Sequence, residues 1–299
     1  MPVIKGNSMR LWFFQIRGPF LILSVVLVAV GVAAAYHEGF ENWLYAFLLV
    51  FGVMLSHVSV NLFNELSDYR TGVDEFTVRT PFSGGSGLLQ SRQISLKAVA
   101  FAAYAALIFS AAIGFYLWRF SGWVIPILMV SGALAVRFYT SHLTQWLMGE
   151  AVAGLTLGTF VVLGSYYALT RHLNFEIIIV SIPPGILTFL LLFLNEFPDV
   201  EADRKGGRHH LVIHFGREKS SKIYLYFLAL AYLILFASPF VADLPRTMLI
   251  SLATLPLAVK AARGATQNYN DMAKLVPTLA LNVGIVIMTD LLLSIGFFI

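Results

Sequence analysis

NWLYAFLLVFGVMLSHVSVNLFNELSDYRTGVDE, residues 42–75, runs without interruption from an apolar stretch into a knot of ionisable side chains. Residues 42–63 contain no Asp, Glu, Lys or Arg, and a stretch of that length and character can cross a hydrocarbon core as a helix. Residues 64–75 then place Glu65, Asp68, Arg70, Asp74 and Glu75 together, in a chain whose charged fraction is only 12%. The stretch reads as a membrane helix whose end carries chemistry.

The rest of the chain agrees. Of its 299 residues, 58% are hydrophobic, and apolar runs of spanning length recur throughout, which excludes a soluble globule. Hydropathy and helix-breaking clusters give nine expected spans, at about 13–36, 42–63, 96–118, 122–141, 148–170, 175–195, 222–241, 246–263 and 275–298. Unpaired backbone groups are too costly in lipid for spans this long to be anything but helices. The expected fold is all-α, a polytopic bundle of nine transmembrane helices forming a single domain over residues 1–299. The first stretch is long enough to span and lacks a small-residue cleavage site, so it is expected to stay in the protein. The absence of cysteine excludes disulfides, thiolate ligands and a cysteine nucleophile.

Nine spans sort the basic residues sharply. Seventeen of the 20 Lys and Arg fall on one side, and only Arg119, Arg171 and Arg246 fall on the other. The positive-inside rule then puts the N-terminus and both long polar loops in the cytoplasm and Ile299 outside, in a cell membrane. The net charge of +4 is thus a topology signal, and nucleic acid is not an expected partner.

The two long cytoplasmic segments resemble each other. NELSDYRTGVD begins at Asn64 and NEFPDVEADRK at Asn195, 131 positions later, each extending an apolar helix with Asn-Glu-x-x-Asp. Helical positions i and i+4 share a face, so Asn64 projects with Asp68, and Asn195 with Asp199 and Asp203. Clustered hard oxygens without thiolates suit Mg²⁺, with Mn²⁺ as a substitute, and two facing clusters would bridge a diphosphate. Solvated helix ends can also be acidic, but two matched copies on one side favour the metal reading.

The paired motifs resemble the two aspartate-rich motifs of the UbiA superfamily of intramembrane prenyltransferases, with the resemblance running over essentially the whole chain. It implies Mg²⁺-dependent transfer of a polyprenyl chain from its diphosphate to an aromatic acceptor through an allylic cation. Asn64, Asp68, Asp74, Asn195, Asp199 and Asp203 would hold the metal, and the four aspartates would be catalytic. The spacing of Asp68, Gly72 and Asp74, together with Gly207, Arg208, Leu211 and Gly216, is most similar to the menaquinone branch, which uses 1,4-dihydroxy-2-naphthoate. Glu65, His210 and His214 depart from the family's usual residues. At Gly72 the helix is expected to end near Thr71 and turn, bringing Asp74 back toward the metal.

Other residues carry weaker expectations. Arg79 and Arg208 could hold diphosphate oxygens or simply mark the inner face, and the glycine-rich RTPFSGGSG segment, residues 79–87, could offer N–H groups to phosphate. Tyr139 could approach substrate or anchor at the interface. Arg10 and Arg17 could meet an acidic acceptor. Glu150 is expected to be solvated near a helix end, and Asp290 to lie deeper, while His209, His210 and His214 are expected to be solvated in their loop. The alternative within the resemblance is a transferase with another acceptor, 4-hydroxybenzoate, homogentisate or geranylgeranylglyceryl phosphate; the alternative of a different class is an ion-coupled transporter, but its site should lie near the midplane rather than at helix ends. A phosphatidyltransferase would need a compact aspartate run that is missing here.

Overall fold

The computed structural model describes residues 8–73, 79–138 and 147–299, with the side chain of Arg137 also left aside. Every regular element among them is helical. The chain opens with α1 (Ser8–Gln15), breaks at Arg17 and continues through a short 3-10 turn into α2 (Ile22–His37). It then forms α3 (Trp43–Thr71), α4 (Leu96–Ser121) and α5 (Val124–Phe138). A continuous rod, Gly149–Thr170, comprises α6 (Gly149–Ala153), a π-helical segment (Gly154–Thr159) and α7 (Phe160–Thr170). After α8 (Phe175–Asn195) come the short α9 (Val200–Lys205) and α10 (Leu211–Phe215), then α11 (Arg217–Val241). A 3-10 stretch (Arg246–Thr254) leads into α12 (Leu255–Asn268), and α13 (Met272–Phe298) closes the chain.

Eight of these helical rods are long and apolar enough to cross a membrane. The expected fourth span is shorter: α5 has 15 described residues, about 22 Å at the helical rise, against a hydrocarbon core of about 30 Å. The expected first span is also broken. Arg17 has a left-handed backbone, φ 54°, immediately before Gly18 and Pro19, and proline can neither donate to the preceding turn nor leave its neighbour freely helical.

Sequence chemistry explains where several helices start. Asn42, Ser95, Asn174 and Asp271 each accept the backbone N–H three residues on, from Tyr45, Ala98, Ile177 and Lys274, satisfying an otherwise orphaned donor. Helices α2, α8, α11 and α13 supply much of the largest core cluster, while Phe47, Phe101, Phe109, Trp123 and Phe236 are exposed on the outside, as a lipid-facing surface requires.

One contact fixes the centre of the bundle. A Cβ on Gly158 would lie 2.6 Å from Gly185 Cα, and one on Gly154 would lie 2.7 Å from Gly185 O. Small residues let the rod and α8 approach to backbone contact. Thr159 Oγ1 also donates to Ser181 O at 3.2 Å.

Candidate active site

The first motif occupies the closing turns of α3. The helix ends at Thr71, and Gly72 takes a left-handed conformation with φ 70°, as the glycine in that position led us to expect. Asp74 and Tyr139 lie outside the described residues. The second motif turns from the end of α8 into α9, which Asp199 precedes at the N-cap and Asp203 joins in its first turn.

Arg208 brings the two motifs together. Its Nη2 donates to Asp68 Oδ1, and its Nη1 donates to Asp203 Oδ1 at 3.1 Å. Asp68 and Asp203 are both buried. Burial, with Arg17 nearby, lowers the Arg208 guanidinium to about 10, so it remains cationic at neutral pH. Two carboxylates separated by 135 residues of sequence therefore converge on one cation.

Beside this junction opens a cavity of about 560 Å³, whose wall includes Asn64 and Asn195 together with Arg17, Asn61 and His57. Leu49, Ile113, Leu128, Met129, Leu157 and Phe160 make much of the remainder apolar. A polar mouth on a mostly apolar chamber suits a ligand with a charged head and a hydrocarbon tail. The π-helical segment contributes Thr156 and Leu157 to the wall, a common use of such local widening.

Glu65 has a different task from its motif neighbours. It is 1% exposed and accepts from Ser86 N at 2.9 Å, Ser86 Oγ at 2.6 Å, Arg17 Nη2 at 3.3 Å and Gln15 Nε2 at 3.4 Å. Glu65 thereby ties α1, α3 and the glycine-rich segment, and holds Arg17 in the cavity wall. The Ser86 N–H that could have met phosphate is directed at this carboxylate. Arg79 is folded into its own loop, donating from Nε to Gly84 O at 3.0 Å. Arg10 is exposed and sits over the Phe14 ring at 5.9 Å, whereas Arg17 alone of that pair lines the cavity.

Two expectations of solvation fail. Glu150 is fully buried and His210 is 2% exposed, although His209 and His214 are exposed. Glu150 Oε1 accepts the Leu211 N–H at 2.7 Å, which turns it away from water and toward the start of α10. His210 lies between Glu196 and Asp203, with Nδ1 3.3 Å from Glu196 Oε2 and Nε2 3.4 Å from Asp203 Oδ2. Burial first, and then the Glu150 carboxylate, push Glu196 well above the usual carboxylate range. These residues come from three separate segments, so no local spacing revealed the cluster. Asp290 is fully buried in α13, and neither carboxylate oxygen has a hydrogen-bond partner among the described residues.

The residues at the junction fit a divalent ion. Asp68 and Asp203 offer hard oxygens that already face a cation, and Asn195 Oδ1 is buried with no hydrogen-bond partner among the described residues. Such a donor set, completed by water and phosphate oxygens, is suited to Mg²⁺.

Comparison with known proteins gives the family and the fold. A 1,4-dihydroxy-2-naphthoate octaprenyltransferase of Bacillus subtilis is 26% identical over 277 residues, covering 91% of this chain and 88% of that protein. A 2-carboxy-1,4-naphthoquinone phytyltransferase of Synechocystis is 25% identical over 279 residues, covering 90% and 87%. The structure of a UbiA homologue from Archaeoglobus fulgidus bound to GPP and Mg²⁺ matches with a TM-score of 0.64 at 14% identity, over 95% of this chain and 99% of that one. The model of the UbiA prenyltransferase family matches residues 23–283, and the chain belongs to that family.

Proposed function

We propose that this protein transfers a polyprenyl chain from its diphosphate to 1,4-dihydroxy-2-naphthoate in lipid-quinone biosynthesis. The observation that carries the reading is the meeting of both motifs on Arg208 beside a cavity whose wall includes Asn64 and Asn195. The relatives support the acceptor class: both names above specify a naphthalene-ring carboxylic acid, while their prenyl tails differ.

Asn64, Asp68, Asp74, Asn195, Asp199 and Asp203 would hold Mg²⁺, with Mn²⁺ substituting. When bound, the metal neutralises the diphosphate and makes it a better leaving group. Arg208 offers a planar, permanently charged fork to the departing oxygens. The apolar wall keeps water from the allylic cation left behind. Arg17, held by Glu65 at 3.3 Å, is placed to meet the acceptor's carboxylate, and Tyr139 would approach either substrate. The electron-rich ring attacks the cation at the carbon that bears the carboxylate, and the adduct loses that ionised carboxylate as carbon dioxide, whose bonding pair restores the aromatic ring.

The bundle would cross the cell membrane nine times, with α5 as the short crossing, the N-terminus and motifs in the cytoplasm, and the C-terminus outside. The carboxylates lie at helix ends rather than at broken helices near the midplane, which disfavours the transporter reading. The test is diphosphate release and product formation from one polyprenyl diphosphate with dihydroxynaphthoate, 4-hydroxybenzoate, homogentisate or geranylgeranylglyceryl phosphate. Dihydroxynaphthoate should give the highest kcat/KM. A preference for another acceptor would overturn the assignment but leave the transferase chemistry intact.

A further inference from the structure

Glu150 is the second residue of α6, Glu196 follows the last residue of α8, and His210 precedes α10. Each offers one ligand atom, and the three atoms lie within 4.8 Å of one another. The surroundings leave them poorly satisfied. Among the described residues, Glu150 Oε2, buried in a side chain with no exposure, makes no hydrogen bond, and neither ring nitrogen of His210 makes one despite its two nearby carboxylates. Two buried carboxylates this close must share a proton or a cation, because a buried charge is tolerated only when neutralised, paired or bound to metal.

We propose that Glu150, Glu196 and His210 form a second metal site, distinct from the asparagine–aspartate set, that takes a first-row divalent ion of the Zn²⁺ class. The ligand types separate it from the diphosphate-linked site. Mg²⁺ keeps to oxygen donors and several waters, whereas Zn²⁺ readily takes an imidazole nitrogen together with carboxylate oxygens. The second nitrogen supports the assignment. Ligation through Nδ1, the nitrogen facing Glu196, leaves Nε2–H to donate toward Asp203 Oδ2, 3.4 Å away. A carboxylate that orients a metal-bound histidine through its other nitrogen is the usual outer partner in such sites. The ion would pin the start of the rod and the end of α8 to the segment that carries Asp203 and Arg208, so it would be structural and would also orient Asp203.

The experiment uses the full chain, purified in detergent, stripped of metal and titrated with Co²⁺ in excess Mg²⁺. Wild type should bind a single tight Co²⁺ with visible d–d bands of a low-symmetry site, and Zn²⁺ should bleach them. Glu150→Gln and His210→Ala should lose the bands, while Asp68→Asn should keep them. His210→Cys should add a near-ultraviolet thiolate-to-cobalt charge-transfer band, a gain of signal that a merely structural histidine cannot give and that decides the matter if a loss variant fails to fold. A wild-type spectrum of the hydrated ion alone would mean that only a proton joins the carboxylates, and the proposal would fall. Bands that survived His210→Ala, or vanished in Asp68→Asn, would overturn it equally. The readout is metal binding rather than turnover, so its result is independent of the prenyl-transfer assignment.

Discussion

At the scale of single residues, motif carboxylates and ordinary charged residues make opposite predictions. Asp68 is buried on Arg208, whereas Glu218 pairs with Lys222 four residues on at an exposed helix surface, where ion pairs contribute little. Asp68→Ala and Asp199→Ala should each reduce Mg²⁺-dependent diphosphate release by roughly a hundredfold or more, the loss typical of removing a group that stabilises developing charge. Glu218→Ala should be nearly silent, and three alike variants would show that the motifs are plain surface charge. Glu65→Ala should act through stability. It leaves Arg17, Gln15 and Ser86 without their shared acceptor and should cost on the order of 3 kcal/mol, read as a fall in melting temperature with a raised KM for the acceptor. The asparagine–aspartate spacing was legible in the sequence because helical neighbours four apart share a face. The Arg208 bridge to Asp68 was not, since it joins positions 140 apart and only the tertiary fold brings them together.

At the scale of elements, two glycines separate conformational from steric constraint. Among the described residues nothing lies within 4 Å of a Cβ built on Gly72, so the demand there is the left-handed backbone, which costs a non-glycine residue about 1–2 kcal/mol. Gly72→Val should therefore lower the melting temperature by only a few degrees while reducing diphosphate release almost as much as Asp74→Ala, because the helix end would point elsewhere. A fully active Gly72→Val protein would show that the turn has no catalytic consequence. Gly158 is the reverse case. Its would-be Cβ meets the Gly185 backbone at 2.6 Å, and Gly158→Val should destabilise by about 3 kcal/mol through overpacking, visible as a lowered melting temperature in detergent. Hydropathy located most spans because membrane crossing needs length and apolarity, both of which are written locally. It missed the π-helical segment and the 3-10 stretch before α12, which hydropathy does not encode, and it ran the first span through the break at Gly18–Pro19, a signal that was present in the sequence.

At the scale of the whole molecule, the first motif closes the third helix and the second follows the eighth, so a metal held between them would fasten the two halves of the chain. Chelation by EDTA should abolish turnover, and Mg²⁺ or Mn²⁺ should restore it. The same ion with inorganic diphosphate should raise the melting temperature, since a ligand that binds only the folded state stabilises it by about 2.7 kcal/mol at a hundredfold excess over Kd. Turnover in chelator, or a melting temperature indifferent to both ligands, would refute the bridging role. Arg208 adds a dependence of its own. Its guanidinium lies between Asp68 and Asp203 and acts as a resident placeholder for positive charge, which a divalent ion must evict. Eviction is favourable when the incoming ion brings an anion on which the released guanidinium can settle. Free Mg²⁺ should accordingly load weakly, diphosphate should load weakly, and the pair should load together. Arg208→Ala would uncouple them, tightening the metal's solitary binding while loosening the diphosphate, a reversal that calorimetry on the detergent-purified protein can read directly.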